Sequence, residues 1–167
     1  MSTVYTIGYE GVTLSDFLAT LRGAAIKRVV DVRERAQSRR PGFSKSALSA
    51  ALRIENIAYE HRRELGDPKP GRDAARAGRY DEFQQIFSSH METTAAKNEL
   101  RDLVITISRE RCVLLCYERD YRQCHRNLLC HDLQKLASFE VEHIGVQPKG
   151  RFGGKNVNGA DRHAATH

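Results

Sequence analysis

The chain contains no tryptophan, and none of its apolar stretches approaches the roughly 20 residues that a membrane-spanning helix requires. At its N-terminus, a basic segment followed by an apolar one is missing, so we expect no secretory signal and a cytoplasmic location. Gly-x-Ser-x-Gly and Gly-x-Gly-x-x-Gly motifs are also absent, which sets aside the serine hydrolase and dinucleotide-binding classes. These absences argue against a membrane protein, a serine hydrolase and a dinucleotide-binding enzyme.

The length and the distribution of apolar residues predict one folded domain. A chain of 167 residues with 40% hydrophobic content is long enough to bury a core without disulfides or metals. Residues 150–167 contain almost no apolar side chains. We therefore predict an α/β domain over residues 1–147 and a polar, basic C-terminal extension over residues 148–167.

Short runs rich in β-branched residues alternate with helical patterns along the chain. Strands are predicted at residues 4–7, 29–32, 57–59 and 112–116, with a fifth through Val141 and Ile144. Residues 62–79, rich in glycine and proline, are expected to form a long loop beside the site. This alternation predicts a mostly parallel five-stranded sheet flanked by helices, a Rossmann-like architecture.

Parallel sheets of this kind bind ligands beyond the carboxyl ends of their strands. We expect the strand order 3-2-1-4-5. In that order, the loops formed by residues 8–11 and 116–124 face each other, with Asp31 and Arg33 beside them. Three separate segments would then direct polar groups to one place, which predicts a functional site there.

The segment from Cys116 to Arg126 concentrates reactive side chains behind the apolar strand 112–116. A thiol, a carboxylate, an imidazole and a guanidinium occur within eleven residues. The candidate catalytic residues are Glu118, Cys116 and His125. The candidate substrate-binding residues are Gly8, Tyr9, Arg33, Phe43, Cys124 and Arg126.

Each of the charged or reactive candidates also has a purely structural interpretation. Cys116 lies before a helix start and a nearby arginine, which favours a thiolate, but it also fits as a packed residue that closes a strand. Glu118 is either a general base or half of an ion pair with Arg126 or Arg33. His125 is either a proton donor or metal ligand, or a histidine that bonds the backbone at a helix start.

The remaining candidates are open to the same choice. Arg33 and Arg126 either clamp a phosphate or carboxylate, or form ion pairs with Asp31 or Glu118. Tyr9 and Phe43 either stack on a base or cap the core. The four cysteines favour free thiols or metal ligands over disulfides, with a redox-active pair left open, and Cys112 and Cys130 are expected to pack in the core.

The net charge of +6 favours anionic partners such as nucleotides or nucleic acid. The cationic residues of the chain are clustered rather than spread evenly. One loop carries Arg33, Arg35, Arg39, Arg40 and Lys45, a second carries Arg62 and Arg63, and the C-terminal extension carries Lys149, Arg151, Lys155 and Arg162. A solvated basic face is the alternative explanation.

Five short motifs, in order, resemble the domain of unknown function 488 family, a group of bacterial and archaeal proteins. They are Thr6-Ile7-Gly8-Tyr9-Glu10, Val30-Asp31-Val32-Arg33, Pro41-Gly42-Phe43-Ser44, Glu64-Leu65-Gly66, and Leu115-Cys116-Tyr117-Glu118 with Cys124-His125-Arg126. The resemblance covers about residues 3–144 and does not include the C-terminal extension. It implies a small α/β domain and specifies no activity.

The sequence favours an enzyme that acts on a phosphate-bearing nucleotide or nucleic acid, with no cofactor predicted. A rhodanese-like or phosphatase-like cysteine enzyme is the first alternative, since Cys116 and Arg122 have the phosphatase spacing, although the loop between them lacks glycines. A metal site of Cys116, Cys124 and His125, with or without Glu118, is the second. Because adjacent Cys124 and His125 do not easily share one ion, no metal is assigned. The third is a non-enzymatic nucleic-acid-binding module.

Overall fold

A computed structural model describes residues 1–146, Pro148 and the backbone of residues 161–163. In this part of the chain, a single α/β domain contains six strands and six α-helices. The strands are β1 (Ser2–Gly8), β2 (Arg28–Asp31), β3 (Ala58–His61), β4 (Cys112–Cys116), β5 (Phe139–Ile144) and β6 (Asp161–His163). The helices are α1 (Leu14–Gly23), α2 (Lys45–Ile54), α3 (Lys69–Arg76), α4 (Tyr80–Met91), α5 (Thr94–Arg109) and α6 (His125–Leu136).

The first five strands are parallel, which confirms the predicted fold class. The predicted strand order, however, is wrong: the sheet runs β3-β2-β4-β1-β5-β6, so β4 lies between β2 and β1. All five residues of β4 are buried, as expected for a strand at the centre of a sheet. The carboxyl ends of β2, β4 and β1 therefore lie side by side.

The sheet separates two apolar layers. Alternation along β4 directs Cys112, Leu114 and Cys116 towards the helices α3 to α6, and Val113 and Leu115 towards α1 and α2. Both faces are therefore covered by helices, which explains why the strands are continuous apolar runs. Cys116 thus belongs to the layer that also contains the start of α6.

Local hydrogen bonds explain some of the element boundaries and correct others. The Thr13 hydroxyl accepts from the Asp16 amide and caps α1. Ser44 precedes α2 without capping it, because its hydroxyl bonds the backbone of Ser38 instead. The predicted long loop 62–79 contains a 3-10 turn and the helix α3.

The predicted C-terminal extension falls largely outside the described residues. Within it, β6 pairs antiparallel with β5 at the edge of the sheet. Across the described residues, no helix has the length and apolar content needed to span a membrane.

Candidate functional site

A cavity of about 1170 Å³ lies over the carboxyl ends of β1, β2 and β4 and is closed on one side by α3. We call it the strand-end cavity. Its lining includes Tyr9, Arg33, Asp67, Arg72, Cys116, Tyr117, Glu118 and His125, with Arg35, Arg39 and Arg76. The cavity is where parallel sheets ordinarily bind ligands.

The loops that follow β1 and β4 are joined to each other, as predicted. The amide of Glu10 donates to the carbonyl of Tyr117 at 2.9 Å, and the amide of Arg119 donates to the Glu10 carboxylate at 3.0 Å. A Cβ atom at Gly8 would overlap the carbonyl oxygen of Glu118. Gly8 therefore contributes to the site by allowing this close approach of two backbones.

Arg126 holds the loop after β4 in place from within the protein. Its side chain is 1% exposed and donates to the Thr6 hydroxyl, the Cys116 sulfur and the carbonyls of Glu118 and Arg119. Burial lowers the pKa of the guanidinium to about 10, which still leaves it charged at pH 7. With its donors used in this way, Arg126 fixes the loop.

Arg33 is engaged in a similar way at the end of β2. Its guanidinium forms a bidentate ion pair with Asp31, at 2.9 and 2.7 Å, and also donates to the Tyr9 hydroxyl and the Phe43 carbonyl. Phe43 is fully buried and stacks on Tyr9 with ring centroids 4.6 Å apart. Arg33 and Phe43 thus support the wall of the cavity, and Tyr9 is part of that wall.

Cys116, Cys124 and His125, which we call the thiol cluster, converge at the floor of the cavity. Their sulfur and nitrogen atoms lie within 4.8 Å of one another, and all three residues are buried. The sulfurs of Cys116 and Cys124 are joined as a disulfide, with Cα atoms 7.6 Å apart. The sequence favoured free thiols or metal ligands over disulfides and left a redox-active pair open. Cys112 and Cys130 are free and buried, and burial raises the pKa values of both thiols to about 12.

His125 presents one defined face to the cysteines. Its Nε2 lies 2.7 Å from the carbonyl oxygen of Val32, which can only accept, so Nε2 carries the proton. The Nδ1 atom then faces the Cys124 sulfur at 3.7 Å. Burial lowers the pKa of the imidazole to about 4, and the ring is neutral at pH 7.

Glu118 and Asp67 line the cavity and form no ion pair among the described residues. The Glu118 Oε2 atom is 3.4 Å from the Cys116 sulfur, and burial raises the pKa of this carboxyl group. Burial also raises the pKa of Asp67, to about 7, with an added contribution from the charge of Glu118. The Oδ1 atom of Asp67 is buried against α3 and has no hydrogen-bond partner in the described structure.

Three arginines at the mouth of the cavity differ from the buried ones. Arg35, Arg39 and Arg76, which we call the rim arginines, are exposed and line the opening. Among the described residues, none of them forms an ion pair or a side-chain hydrogen bond. Nearby Arg72, by contrast, is paired with Glu34 at 3.0 Å. The rim arginines are therefore available to an external anion.

The structure brings together the predicted site residues but divides them by role. Cys116, Glu118, His125 and Tyr9 line the cavity, whereas Arg126 and Cys124 lie behind its surface. Sequence reasoning missed Asp67, Arg76 and Tyr117 as cavity residues. Asp67 and Arg76 fall in the segment expected to be a loop, where glycine and proline obscured the short helix α3.

The model of one protein family, described as domain of unknown function DUF488, matches residues 13–133. The chain belongs to the DUF488 family. This confirms the family resemblance, and four of the five sequence motifs lie within the matched residues. Neither the curated proteins nor the solved structures yield a significant match.

Proposed function

We propose that this DUF488 protein is an enzyme that acts on a phosphate-bearing substrate, a nucleotide or nucleic acid, in the strand-end cavity. One observation carries the proposal: arginines at the mouth and a buried carboxyl oxygen of Asp67, all without a partner in the described part of the chain, belong to the same cavity. The first group suits an anion and the second suits proton transfer. The two together favour a substrate that is held by its phosphate and reacts deeper in the cavity.

The rim arginines supply the anion-binding part. Their exposed guanidinium groups would each form charge-assisted hydrogen bonds to phosphate oxygens without breaking an existing ion pair. The net charge of +6 adds a favourable long-range field for a polyanion. An acidic rather than a basic ligand is therefore favoured at the mouth.

Aromatic rings beside the rim provide a surface for a nucleobase. Tyr117 is 48% exposed and packs edge-on against Tyr9, with ring centroids 5.3 Å apart, and both residues line the cavity. An exposed tyrosine face stacks on bases of any sequence. This feature favours a nucleotide over a simple phosphate ester.

Asp67 and Glu118 supply the groups that exchange a proton with the substrate or with an attacking water. Both line the cavity, and burial raises the pKa of both carboxyl groups. The pKa of Asp67, at about 7, suits this group to both giving and taking a proton at neutral pH. Because the rim arginines lie at the mouth, binding and proton transfer are assigned to different residues. This separation makes the proposal testable.

The test measures binding and turnover separately. Binding of fluorescently labelled nucleotides and a short oligonucleotide is followed by anisotropy, and turnover of the same panel by mass spectrometry. Changing all three rim arginines to glutamine should weaken binding roughly 10–100-fold. The slope of log affinity against log salt concentration should also fall by about one unit for each lost phosphate contact. The matched control changes Arg53, Arg101 and Arg109, which are exposed outside the cavity, and should retain affinity.

The carboxyl variants decide whether the cavity is catalytic. Asp67→Asn and Glu118→Gln should retain binding and lose turnover by at least about 100-fold, the usual contribution of general acid–base catalysis. Equal binding losses in the rim and control triples would contradict the anion site. Turnover that survives both carboxyl variants would contradict the assignment of proton transfer to Asp67 and Glu118. A wild type that binds the panel and turns over none of it would favour the non-enzymatic binding module.

With the Cys116–Cys124 disulfide reduced, a cysteine enzyme is a second candidate, because the Arg126 Nη1 atom lies 3.0 Å from the Cys116 sulfur. A guanidinium at this distance favours the thiolate form. The phosphatase-like version has less support, since Arg122 is paired with Asp120 at 3.0 Å. Loss of all turnover in Cys116→Ser, with a substrate adduct on Cys116 in the wild type, would favour this alternative.

A further inference from the structure

The thiol cluster has the donor set of a transition-metal site. Cys116 ends β4, Cys124 precedes α6 and His125 begins it, so two elements of the fold deliver three donors to one point. These donor atoms lie within 4.8 Å of one another, and the side chains are buried. Two sulfurs and one imidazole nitrogen are a combination that zinc and similar ions prefer.

The adjacency of Cys124 and His125 does not prevent them from sharing an ion. Cys124 has an extended backbone, with φ −125° and ψ 146°, while His125 is already in the first turn of α6. This change of conformation places the Cys124 sulfur 3.7 Å from the His125 Nδ1 atom. The difficulty expected from the sequence is therefore removed by the helix boundary.

The ring of His125 is already oriented as a ligand. Its Nε2–H donates to the Val32 carbonyl, which fixes the tautomer and leaves the Nδ1 lone pair on the side of the cysteines. Metal-binding histidines ordinarily donate their other ring N–H to a carbonyl or carboxylate in this way. The carbonyl of Val32 thus supplies the second-shell contact that such a site requires.

The spacing of the two cysteines suits an ion between their sulfurs. Their Cα atoms are 7.6 Å apart, beyond the roughly 4.4–6.8 Å over which disulfides usually form. A tetrahedral ion with bonds of about 2.3 Å holds two sulfurs about 3.8 Å apart. The Cα separation of 7.6 Å is therefore more easily spanned by an ion between the two sulfurs than by a direct sulfur–sulfur bond.

The surrounding charges balance a divalent ion. Two thiolates neutralise its charge, and the Arg126 guanidinium, 3.0 Å from the Cys116 sulfur, is offset by the Glu118 carboxylate at 3.4 Å from the same atom. A buried group of ions with no net charge is far less costly than an unpaired buried ion. The cluster can therefore hold the ion without a further counterion.

We propose that, in the dithiol form, Cys116, Cys124 and His125 bind one zinc-class divalent ion at the floor of the strand-end cavity. Cys116 and His125 line the cavity, so the fourth coordination position is reached from it. Three protein ligands with one open position characterise catalytic rather than structural zinc sites. Glu118 then lies beside the open position as a neighbour of the ion and is not one of its ligands. Metal binding does not depend on the proposed nucleotide activity.

The test uses cobalt(II) as a probe on the full chain. The protein is reduced with a phosphine, freed of metal with a chelator, and titrated with cobalt(II) under anaerobic conditions. One equivalent should produce thiolate-to-cobalt charge-transfer bands and tetrahedral d–d bands, and zinc(II) should displace both. Cys124→Ser should weaken binding by more than the roughly 10–100-fold typical of an outer-shell change.

The controls separate ligands from neighbours. Cys130→Ser removes a buried thiol on α6 that is not in the cluster and should leave the bands unchanged. Glu118→Gln should retain cobalt binding within about tenfold, as expected for a neighbour of the ion. If Cys124→Ser does not fold, zinc protection of Cys116 and Cys124 from alkylation in the reduced wild type answers the same question.

Three results would overturn the proposal: no tetrahedral cobalt bands in the reduced wild type, equal alkylation of Cys116 and Cys124 with and without zinc, or a disulfide between them that persists under the phosphine. None of these results bears on the rim arginines. Nucleotide binding that fails while cobalt binds would instead contradict the proposed function alone.

Discussion

Buried arginines at the strand-end cavity and exposed arginines at its mouth differ in how their hydrogen-bond donors are used. Arg33 and Arg126 are buried and use their donors on protein acceptors, whereas the rim arginines are exposed and use none on the described residues. Arg33 and Arg35 are only two residues apart in the sequence. The difference shows that position along a motif does not distinguish an arginine that builds a site from one that can bind a ligand.

The contrast follows from desolvation. Burying a guanidinium group costs free energy unless its hydrogen bonds and its charge are satisfied. The buried Arg33 therefore needs a partner, and Asp31 supplies it. An exposed guanidinium remains hydrated and needs no partner. A ligand phosphate therefore competes only with water at the rim, while at Arg33 it would compete with an existing bidentate ion pair.

The largest effect is expected from breaking the inner ion pair. Arg33→Met leaves the fully buried Asp31 carboxylate without its guanidinium and should destabilise the protein by about 3–5 kcal/mol. Arg35→Met is the matched control and should change the free energy of unfolding by less than about 0.5 kcal/mol. Urea unfolding measures both, and similar costs for the two variants would contradict the contrast.

A second, intermediate effect concerns the pH dependence of stability. The pKa of Asp67 rises from an ordinary 3.8 to about 7 through burial, opposed by Arg72 and reinforced by Glu118 and Glu34. Between these two pKa values the folded state holds a proton that the unfolded state releases, so stability falls as the pH rises from about 4 to 7. The loss amounts to roughly 2–4 kcal/mol and levels off above pH 7.

Asp67→Asn isolates this contribution because asparagine does not titrate. Unfolding free energies of the variant and the wild type, measured from pH 5 to pH 8, should differ in slope, with the wild type losing more stability. Asp73→Asn, on the exposed side of α3, serves as the control and should keep the wild-type slope. Parallel curves for the wild type and Asp67→Asn would show that Asp67 is ionised throughout.

Much of the fold was predictable because each central strand is a short, continuous apolar run that can be recognised in the sequence. Buried runs such as residues 29–32 and 112–116 mark central parallel strands, and the loops after β1 and β4 meet as expected. The order of the strands was not predictable in the same way. Both β1 and β4 are buried on both faces, so burial patterns alone do not determine which of them lies beside β2.

The position of the candidate site was easier to predict than the contacts of its residues. The density of polar groups between Cys116 and Arg126 indicated a loop that lines the strand-end cavity. Burial then decides whether an arginine is structural, and burial depends on how α3 and the loop after β2 close over the strand ends. Asp67 carried no periodic signal, because Pro68 and Gly71 interrupt the helical pattern around it.

The smallest effect on stability is expected from removing the rim arginines. Changing the three rim arginines to glutamine should alter the unfolding free energy of the unliganded protein by less than about 0.5 kcal/mol per residue, because no described partner is lost. Added inorganic pyrophosphate should raise the melting temperature of the wild type but not of the triple variant, since a ligand stabilises only the state that binds it. A large loss of stability without pyrophosphate would instead place these arginines with Arg33 among the residues that hold the cavity together.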